Sequence, residues 1–223
     1  MRQSDISVIF DMDGTIFDTE RLVLDCWERV GERHGIPGIR EVFMRCIGTN
    51  HARTQEIVFG HYGKEFPYEK FSGESSVLFH EIADKEGIPV KPGAAELLKY
   101  LSEHKIPLGL ASSTRLAVVT QELQAAGLYG YFQVVVGGDL LKNSKPAPDI
   151  YLMTCERMGV LPEKTYAVED SYNGIRSAHS AGLHPIMVPD LTPATEEMQS
   201  LSEAVFTDLF EVREYFGTVL GGE

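Results

Sequence analysis

Short apolar runs alternate with helical patterns along most of this chain. The runs lie at residues 6–10, 108–111, 134–136, 166–168 and 185–188, with a weaker one at 204–206. Segments with apolar residues at helical spacing separate them, and several of these segments end at a glycine. Strands that alternate with helices usually pair in parallel and are covered on both faces. The pattern therefore predicts an α/β fold in which a parallel sheet lies between helical layers.

One interval, residues 19–88, breaks this alternation because no convincing strand lies within it. The interval is too long for a loop, and it has apolar residues of its own at helical spacing. Two prolines stiffen the segment that leads out of it. We therefore predict a Rossmann-like core domain, with helices on both faces of its sheet, at residues 1–17 and 89–223. A small all-helical cap domain is predicted at residues 18–88.

The net charge of the chain is −13. Nucleic acids and anionic membranes both bind basic protein surfaces, so this charge argues against either as a partner. The three cysteines, Cys26, Cys46 and Cys155, are far apart and form no paired motif, which is typical of structural thiols in a reducing compartment. The first apolar run is too short for a signal peptide or a membrane span. We expect a cytoplasmic monomer with no membrane segment.

The first apolar run ends in the segment Asp11-Met12-Asp13-Gly14-Thr15. In an open parallel sheet, ligands bind beyond the carboxyl ends of the strands, so both aspartates are expected where chemistry takes place. The glycine permits a sharp backbone turn at that point. An ordinary strand-to-turn junction has the same residue types, so this motif alone leaves both readings open.

Polar residues also follow the other predicted strands. The second strand ends near Ser112 and Ser113, where hydroxyls and the N–H groups of a helix start could cradle a phosphate. Lys145 lies where another helix is predicted to open, a position at which the helix dipole disfavours a cation, so a separate interaction is expected to hold it. The fourth strand ends in Glu169 and Asp170, and a solvated loop explains this coincidence poorly.

Taken together, these segments resemble the four ordered motifs of the haloacid dehalogenase superfamily. The matching segments are Asp11-Met12-Asp13-Gly14-Thr15, Ser112, Lys145-Pro146 and Glu169-Asp170-Ser171. The resemblance extends over essentially the whole chain, in the family's order. The place of the predicted cap, between the first two motifs, resembles the helical-cap group that includes β-phosphoglucomutase and many sugar-phosphate phosphatases. The resemblance implies a magnesium-dependent phosphatase for a small phosphorylated metabolite.

The resemblance also implies a role for each acidic residue. Asp11 would attack phosphorus and form an aspartyl phosphate, while Asp13 would act as the general acid and base. Carboxyl groups this close repel one another without a cation, and Mg²⁺ prefers oxygen ligands. By resemblance, the side chains of Asp11 and Asp170 and the backbone carbonyl of Asp13 hold the ion. Glu169 either coordinates the ion directly or lies behind the residues that do.

The remaining site residues are predicted to bind and orient the phosphoryl group and the substrate. Lys145 would neutralise phosphoryl oxygens, and Ser112 with the backbone N–H of Ser113 would orient the transferring group. The other substrate-binding candidates are Gly14, Thr15, Asn173 and His51. His51 closes a polar break, residues 48–51, between two helical patterns of the predicted cap. That break either reads the leaving group or is an exposed turn between helices.

Three other functions deserve comparison with the phosphatase. A β-phosphoglucomutase is expected to carry a histidine where this chain has Val23 and an arginine where it has His51, so both departures favour the phosphatase. A signalling receiver domain also gathers acidic residues and a lysine around magnesium. It needs neither a cap nor a second aspartate such as Asp13. A dehalogenase is disfavoured by the same aspartate.

Overall fold

The computed structural model describes residues 6–47 and 51–221. Its strands are β1 (Ser7–Phe10), β2 (Leu108–Ser112), β3 (Val134–Gly137), β4 (Thr165–Glu169), β5 (His184–Met187) and β6 (Ala204–Val205). Within the described ranges they form one parallel sheet in the order β3–β2–β1–β4–β5–β6. The central strand β1 is buried at every position, which explains why its sequence is a nearly continuous apolar run rather than an alternating one. The predicted α/β fold with a Rossmann-like parallel sheet is confirmed.

Helices account for most of the remaining chain. They are α1 (Thr19–Arg33), α2 (Ile39–Cys46), α3 (His51–Tyr62), α4 (Tyr68–Glu86), α5 (Ala94–Glu103), α6 (Leu116–Ala125), α7 (Asp149–Met158), α8 (Tyr172–Ser180), α9 (Glu196–Leu201) and α10 (Leu209–Gly221). None of the helices in the described ranges combines the length and the apolar character needed to cross a bilayer.

Helices cover both faces of the sheet because successive strand residues point to opposite sides. On one face, Ile9 of β1 and Ala167 of β4 pack in one apolar cluster with Tyr151 of α7 and Ala178 of α8. On the other face, the ring of Tyr166 meets Phe216 of α10 edge-on at 5.3 Å between centroids. The sheet is thereby shielded from water on both sides, and its exposed chemistry is confined to the strand ends.

The chain divides into two compact units. One combines the residues up to Asp18 with those from Val90 onward, and the other is Thr19–Pro89. The sequence-based domain boundaries lie one residue before these at both crossings. That the second unit serves as a cap stays a prediction.

The helical unit, formed by α1 to α4, has an apolar core of its own. Trp27 of α1 lies at its centre, with ring centroids 5.3 Å from Phe43 of α2 and 5.2 Å from Phe71 of α4. Both contacts are edge-on, the arrangement that the charge distribution of aromatic rings favours. The apolar residues of this interval therefore stabilise a separate helical unit rather than completing the sheet.

Candidate active site

Three neighbouring strands end at one edge of the sheet, and each brings a polar residue there. β1 lies between β2 and β4, and Phe10 pairs with residues of both. The N–H of Asp11 donates to the Val168 carbonyl at 3.0 Å, which continues the pairing of β1 with β4 by one residue. Continued by one residue, this register aligns Asp11 with Glu169, the last residue of β4, and with Ala111, which directly precedes Ser112 at the end of β2.

A tight turn follows Asp11. The Met12 carbonyl accepts hydrogen bonds from the N–H groups of Thr15, Ile16 and Phe17 at 3.3, 2.8 and 3.0 Å. Gly14 has a φ of +80°, and a Cβ built on it would lie only 2.2 Å from Oδ2 of Asp170. Glycine is therefore required here both by the backbone and by the close approach of a carboxylate. Its predicted contact with substrate stays a prediction.

Lys145 lies at the centre of the acidic cluster. Its Nζ donates to Oδ1 of Asp11 at 2.5 Å, to Oε1 of Glu169 at 2.6 Å and to the Ala111 carbonyl at 3.1 Å. Only 6% of its side chain is exposed. The sequence predicted that some interaction holds this lysine against a helix dipole. That reason was wrong, because α7 starts only at Asp149 and Lys145 lies in the loop before it.

The carboxylate of Glu169 is fully buried and accepts hydrogen bonds on both oxygens. Oε1 receives the Tyr151 hydroxyl at 2.7 Å in addition to Lys145, and Oε2 receives the N–H and hydroxyl of Ser171 at 3.3 and 3.1 Å. A Cβ on Gly174 would lie 1.9 Å from atoms of this carboxylate, so only glycine fits there. Sequence reasoning missed Tyr151, which lies within a helical pattern that reads as ordinary core.

Charge in this cluster is unbalanced. Burial raises the pKa of Asp11 well above its usual range; Lys145 opposes that shift, and the charges of Glu169 and Asp13 reinforce it. Burial alone would lower the pKa of Lys145, but the carboxylates of Asp11 and Glu169 outweigh it and raise that pKa. Lys145 is therefore protonated, but its single positive charge does not neutralise all the carboxylates around it. A further cation is what this arrangement favours.

Three side chains are placed to hold such a cation. Asp11, Glu169 and Asp170 each offer a carboxylate oxygen, and these three atoms lie within 4.8 Å of one another. All three residues are buried, and the hydroxyl of Thr15 donates to Oδ1 of Asp170 at 3.4 Å. Carboxylate oxygens suit Mg²⁺, the ion that the resemblance implies. The donor set therefore fits magnesium, and such an ion would relieve the repulsion of the Asp11 carboxylate by Glu169 and Asp13.

The side chain of Asp13 points to the end of β2. Its Oδ2 accepts the Thr114 hydroxyl at 2.8 Å and the Ser112 hydroxyl at 3.5 Å. The Ser112 Oγ in turn accepts the N–H of Thr114 at 3.0 Å. Asp13 and Ser112 are thus brought together, and Thr114, which was not among the predicted site residues, joins them. The side chain of Asp13 is not part of the carboxylate trio of Asp11, Glu169 and Asp170, and metal binding through its backbone carbonyl stays a prediction.

The other candidate residues have different surroundings. Ser113 is exposed, and a Cβ on Gly138 would lie 2.2 Å from its carbonyl oxygen, so the chain packs tightly there. Asn173 accepts a long hydrogen bond, 3.4 Å, from Arg176. His51 begins α3 in the helical unit, where its ring lies 5.4 Å from that of Tyr68. The other residues of the predicted polar break, 48–50, lie outside the described residues. Roles for these residues stay predictions.

The sequence model of the haloacid dehalogenase-like hydrolases matches residues 8–188, which include all but the first residue of β1, the whole of β2 to β5, and all the polar strand ends described above.

Individual relatives agree with that match. A phosphorylated carbohydrates phosphatase of Thermotoga maritima is 35% identical over 184 residues, covering 81% of this chain and 83% of the relative. Hexitol phosphatase A of Escherichia coli K12 is 31% identical over 85% of this chain and 87% of the relative. A solved Thermotoga maritima structure with a provisional β-phosphoglucomutase assignment is 30% identical, with a TM-score of 0.80, over 96% of this chain and 99% of the other.

The buried carboxylates, the lysine that joins them and the helical insert between the first two motifs thus accompany a family match over most of the chain. The chain belongs to the haloacid dehalogenase-like hydrolases and is a phosphoric monoester hydrolase of that family.

Proposed function

We propose that this enzyme hydrolyses a sugar phosphate or polyol phosphate through an aspartyl phosphate on Asp11. The observation that carries the proposal is the contact of Lys145 with both Asp11 and Glu169, beside a trio of carboxylates that fits a divalent cation. An anionic nucleophile can approach an anionic ester only where positive charge is concentrated nearby. At about 4 Å a unit charge pair is worth roughly 4 kcal/mol at an effective dielectric near 20, whereas distant surface charge is screened. Local cations therefore outweigh the net charge of −13.

Magnesium would be held by Asp11, Asp170 and Glu169 and by the backbone carbonyl of Asp13. When bound, it supplies charge neutralisation at the phosphoryl oxygens. Lys145 supplies the second positive charge and keeps the carboxylate of Asp11 in place through the 2.5 Å hydrogen bond. Ser112, at the end of the neighbouring strand, borders the same space.

The reaction has two steps. In the first, a carboxylate oxygen of Asp11 forms a bond to phosphorus, the ester P–O bond breaks, and Asp13 gives a proton to the departing alcohol oxygen. In the second, Asp13 takes a proton from water, whose oxygen attacks phosphorus, and the bond to Asp11 breaks to release inorganic phosphate. Acid–base assistance of this kind is typically worth about 10²–10⁴-fold in rate. The Thr114 hydroxyl, 2.8 Å from Oδ2, helps to fix the orientation of Asp13.

The substrate class rests on the relatives. The names of two of them specify phosphorylated carbohydrates and hexitol phosphates. The core motifs recognise only phosphate, so we propose that the helical unit acts as a cap and selects the alcohol. We also propose that the protein works as a cytoplasmic monomer on a small metabolite. Size-exclusion chromatography with light scattering tests the monomer directly, since a stable dimer contradicts it.

The function is tested with a panel of sugar, polyol and nucleoside phosphates, each assayed with magnesium and again with a chelator. Release of inorganic phosphate from at least one sugar or polyol phosphate, abolished by the chelator, is the expected result. Asp11→Asn should remove turnover while leaving the protein folded, as its circular dichroism spectrum would show. Turnover of this variant near the wild-type rate would exclude the covalent mechanism.

The competing function is a phosphomutase of the β-phosphoglucomutase type. One similar solved structure carries a provisional assignment to that activity. Val23 and His51 stand where the mutase pattern has a histidine and an arginine, and both departures favour hydrolysis. Incubation with β-glucose 1-phosphate and a catalytic sugar bisphosphate separates the two functions. Glucose 6-phosphate in excess of inorganic phosphate would indicate a mutase. Steady multiple turnover of p-nitrophenyl phosphate would exclude a receiver-like role.

A further inference from the structure

The turn that carries Asp13 is held at its far end by the chain segment that re-enters the core unit. Phe17 pairs with both Asp13 and Val90 as isolated β-bridges, and Gly14 N–H donates to the Phe17 carbonyl at 2.9 Å. The N–H of Lys91 donates to the Ile16 carbonyl at 2.8 Å. The backbone around Asp13 is therefore tied to residues 90–91, which are distant from it in sequence.

The side chain of Lys91 anchors this re-entering segment. Its Nζ forms a short ion pair with Oδ1 of Asp190, and Oδ1 of Asp18 lies 3.7 Å away. The side chain of Asp190 is only 1% exposed and that of Lys91 is 15% exposed. Asp190 follows β5, so this ion pair joins a loop at the carboxyl edge of the sheet to the segment at residues 90–91, which holds the turn of Asp13.

An ion pair with one partner almost fully buried contributes little net stability to the folded state. Removing charges from water costs several kcal/mol per ion, and well-packed apolar residues often do as well or better. The pair between Lys91 and Asp190 therefore calls for another explanation. The ion pair fixes the position of the segment at residues 90–91. That segment is hydrogen-bonded to Ile16 and paired with Phe17, which in turn pairs with Asp13.

We propose that Lys91 and Asp190 are positioning residues for Asp13. They act through the backbone: Asp190 holds the ammonium of Lys91, Lys91 N–H holds Ile16, and Phe17 closes the turn on Gly14 and Asp13. The proposal rests on the proposed function, because it takes Asp13 as the general acid and base. Loss of the anchor is expected to impair proton transfer and to leave the attack of Asp11 largely intact.

The experiment separates proton transfer from attack by means of two esters of similar shape. Nitrophenolate leaves p-nitrophenyl phosphate without needing a proton, whereas the phenolate of phenyl phosphate leaves more slowly and benefits from one. The ratio of kcat/KM between the two esters therefore measures the general acid in the first step. Asp13→Ala provides the benchmark, with a loss on phenyl phosphate of up to about 10²–10⁴-fold and a far smaller one on p-nitrophenyl phosphate.

We expect Lys91→Met and Asp190→Asn to show the same pattern at lower amplitude. Their kcat/KM for phenyl phosphate should fall roughly 10–100-fold, part of the general-acid contribution, with less than about a threefold loss for p-nitrophenyl phosphate. The kcat for p-nitrophenyl phosphate should fall as well, with a burst of nitrophenol, because the attack of water still needs Asp13 as the base. Lys91→Arg keeps the charge and should preserve the wild-type ratio.

A matched control is Thr165→Val. It removes a buried hydroxyl contact of 2.7 Å with Ser7 at the other end of β1 and β4, so it lowers stability without touching the Asp13 turn. This variant should reduce the rates for both esters by one common factor, if at all. Should a single variant fail to fold, Lys91→Met combined with Asp190→Asn leaves neither charge of the pair behind and serves as the test.

Two results would overturn the proposal. If Asp13→Ala discriminates between the esters but the Lys91 and Asp190 variants do not, the positioning role is wrong while the proposed function stands. If Asp13→Ala itself treats both esters alike, the general-acid role assigned under the proposed function fails, and the positioning role fails with it.

Discussion

The hydroxyl of Tyr151 gives a quantitative prediction about the site. It donates to Oε1 of Glu169 at 2.7 Å, and both residues are fully buried. Tyr151→Phe removes one oxygen and keeps the ring packed, so the change isolates this hydrogen bond. A hydrogen bond to a charged group contributes about 1.5–3 kcal/mol to stability. Without the Tyr151 hydroxyl, the buried carboxylate oxygen has one hydrogen-bond donor fewer and is shielded from the water that could replace it. We therefore expect the free energy of unfolding to fall by about 1.5–3 kcal/mol.

Thermal and urea unfolding measure this loss. For a chain of this size, each kcal/mol lowers the melting temperature by roughly 2–4 °C, so the drop should be about 3–12 °C. Tyr172→Phe is the matched control, because its hydroxyl donates at 2.6 Å to the Pro193 carbonyl in an exposed setting and should matter far less. Equal melting temperatures for the two variants would refute the view that Glu169 depends on Tyr151.

Two further predictions concern space and charge around the site. Gly14→Ala places a methyl group 2.2 Å from Oδ2 of Asp170, so magnesium affinity measured by calorimetry should fall at least tenfold. Gly35→Ala, at a φ of +64° with nothing within 4 Å, should cost only the backbone strain and leave that affinity unchanged. Burial, reinforced by the charge of Asp13, raises the pKa of Glu122 from 4.5 to about 7. The folded state therefore holds this proton more tightly than the unfolded chain, and stability contributed by the protonated group is lost as pH rises from about 4.5 through about 7. Glu122→Gln should raise the melting temperature above pH 7 and lose that advantage below pH 4.5, and an advantage that is the same at both pH values would contradict the assignment.

Much of the site could be predicted from residue order because it depends on a general property of parallel sheets. Strand ends that follow apolar runs share one edge, so Asp11, Ser112 and Glu169 had to approach one another once the fold class was recognised. Asp170 follows directly from the same reasoning. The resemblance to a known family then assigned chemistry to these positions, and the family match confirms the family itself.

The supporting contacts could not be predicted in this way, because each joins segments whose distance depends on helix packing and loop course. Tyr151 reads as a core residue of α7, and only the packing of α7 on the sheet brings its hydroxyl to Glu169. Local sequence placed Lys145 at a helix start, whereas α7 begins four residues later. Lys91 and Asp190 are separated by β2 to β5, and no periodicity links them.

Residue order thus determined which edge of the sheet carries the acidic groups, since that depends only on strand direction. Tertiary packing decided which residues support those groups. It brings the hydroxyls of Tyr151 and Thr114 to Glu169 and Asp13, and it pairs Lys91 with the distant carboxylate of Asp190. Such contacts are set within a few ångströms by side-chain geometry, which hydrophobic patterning does not encode.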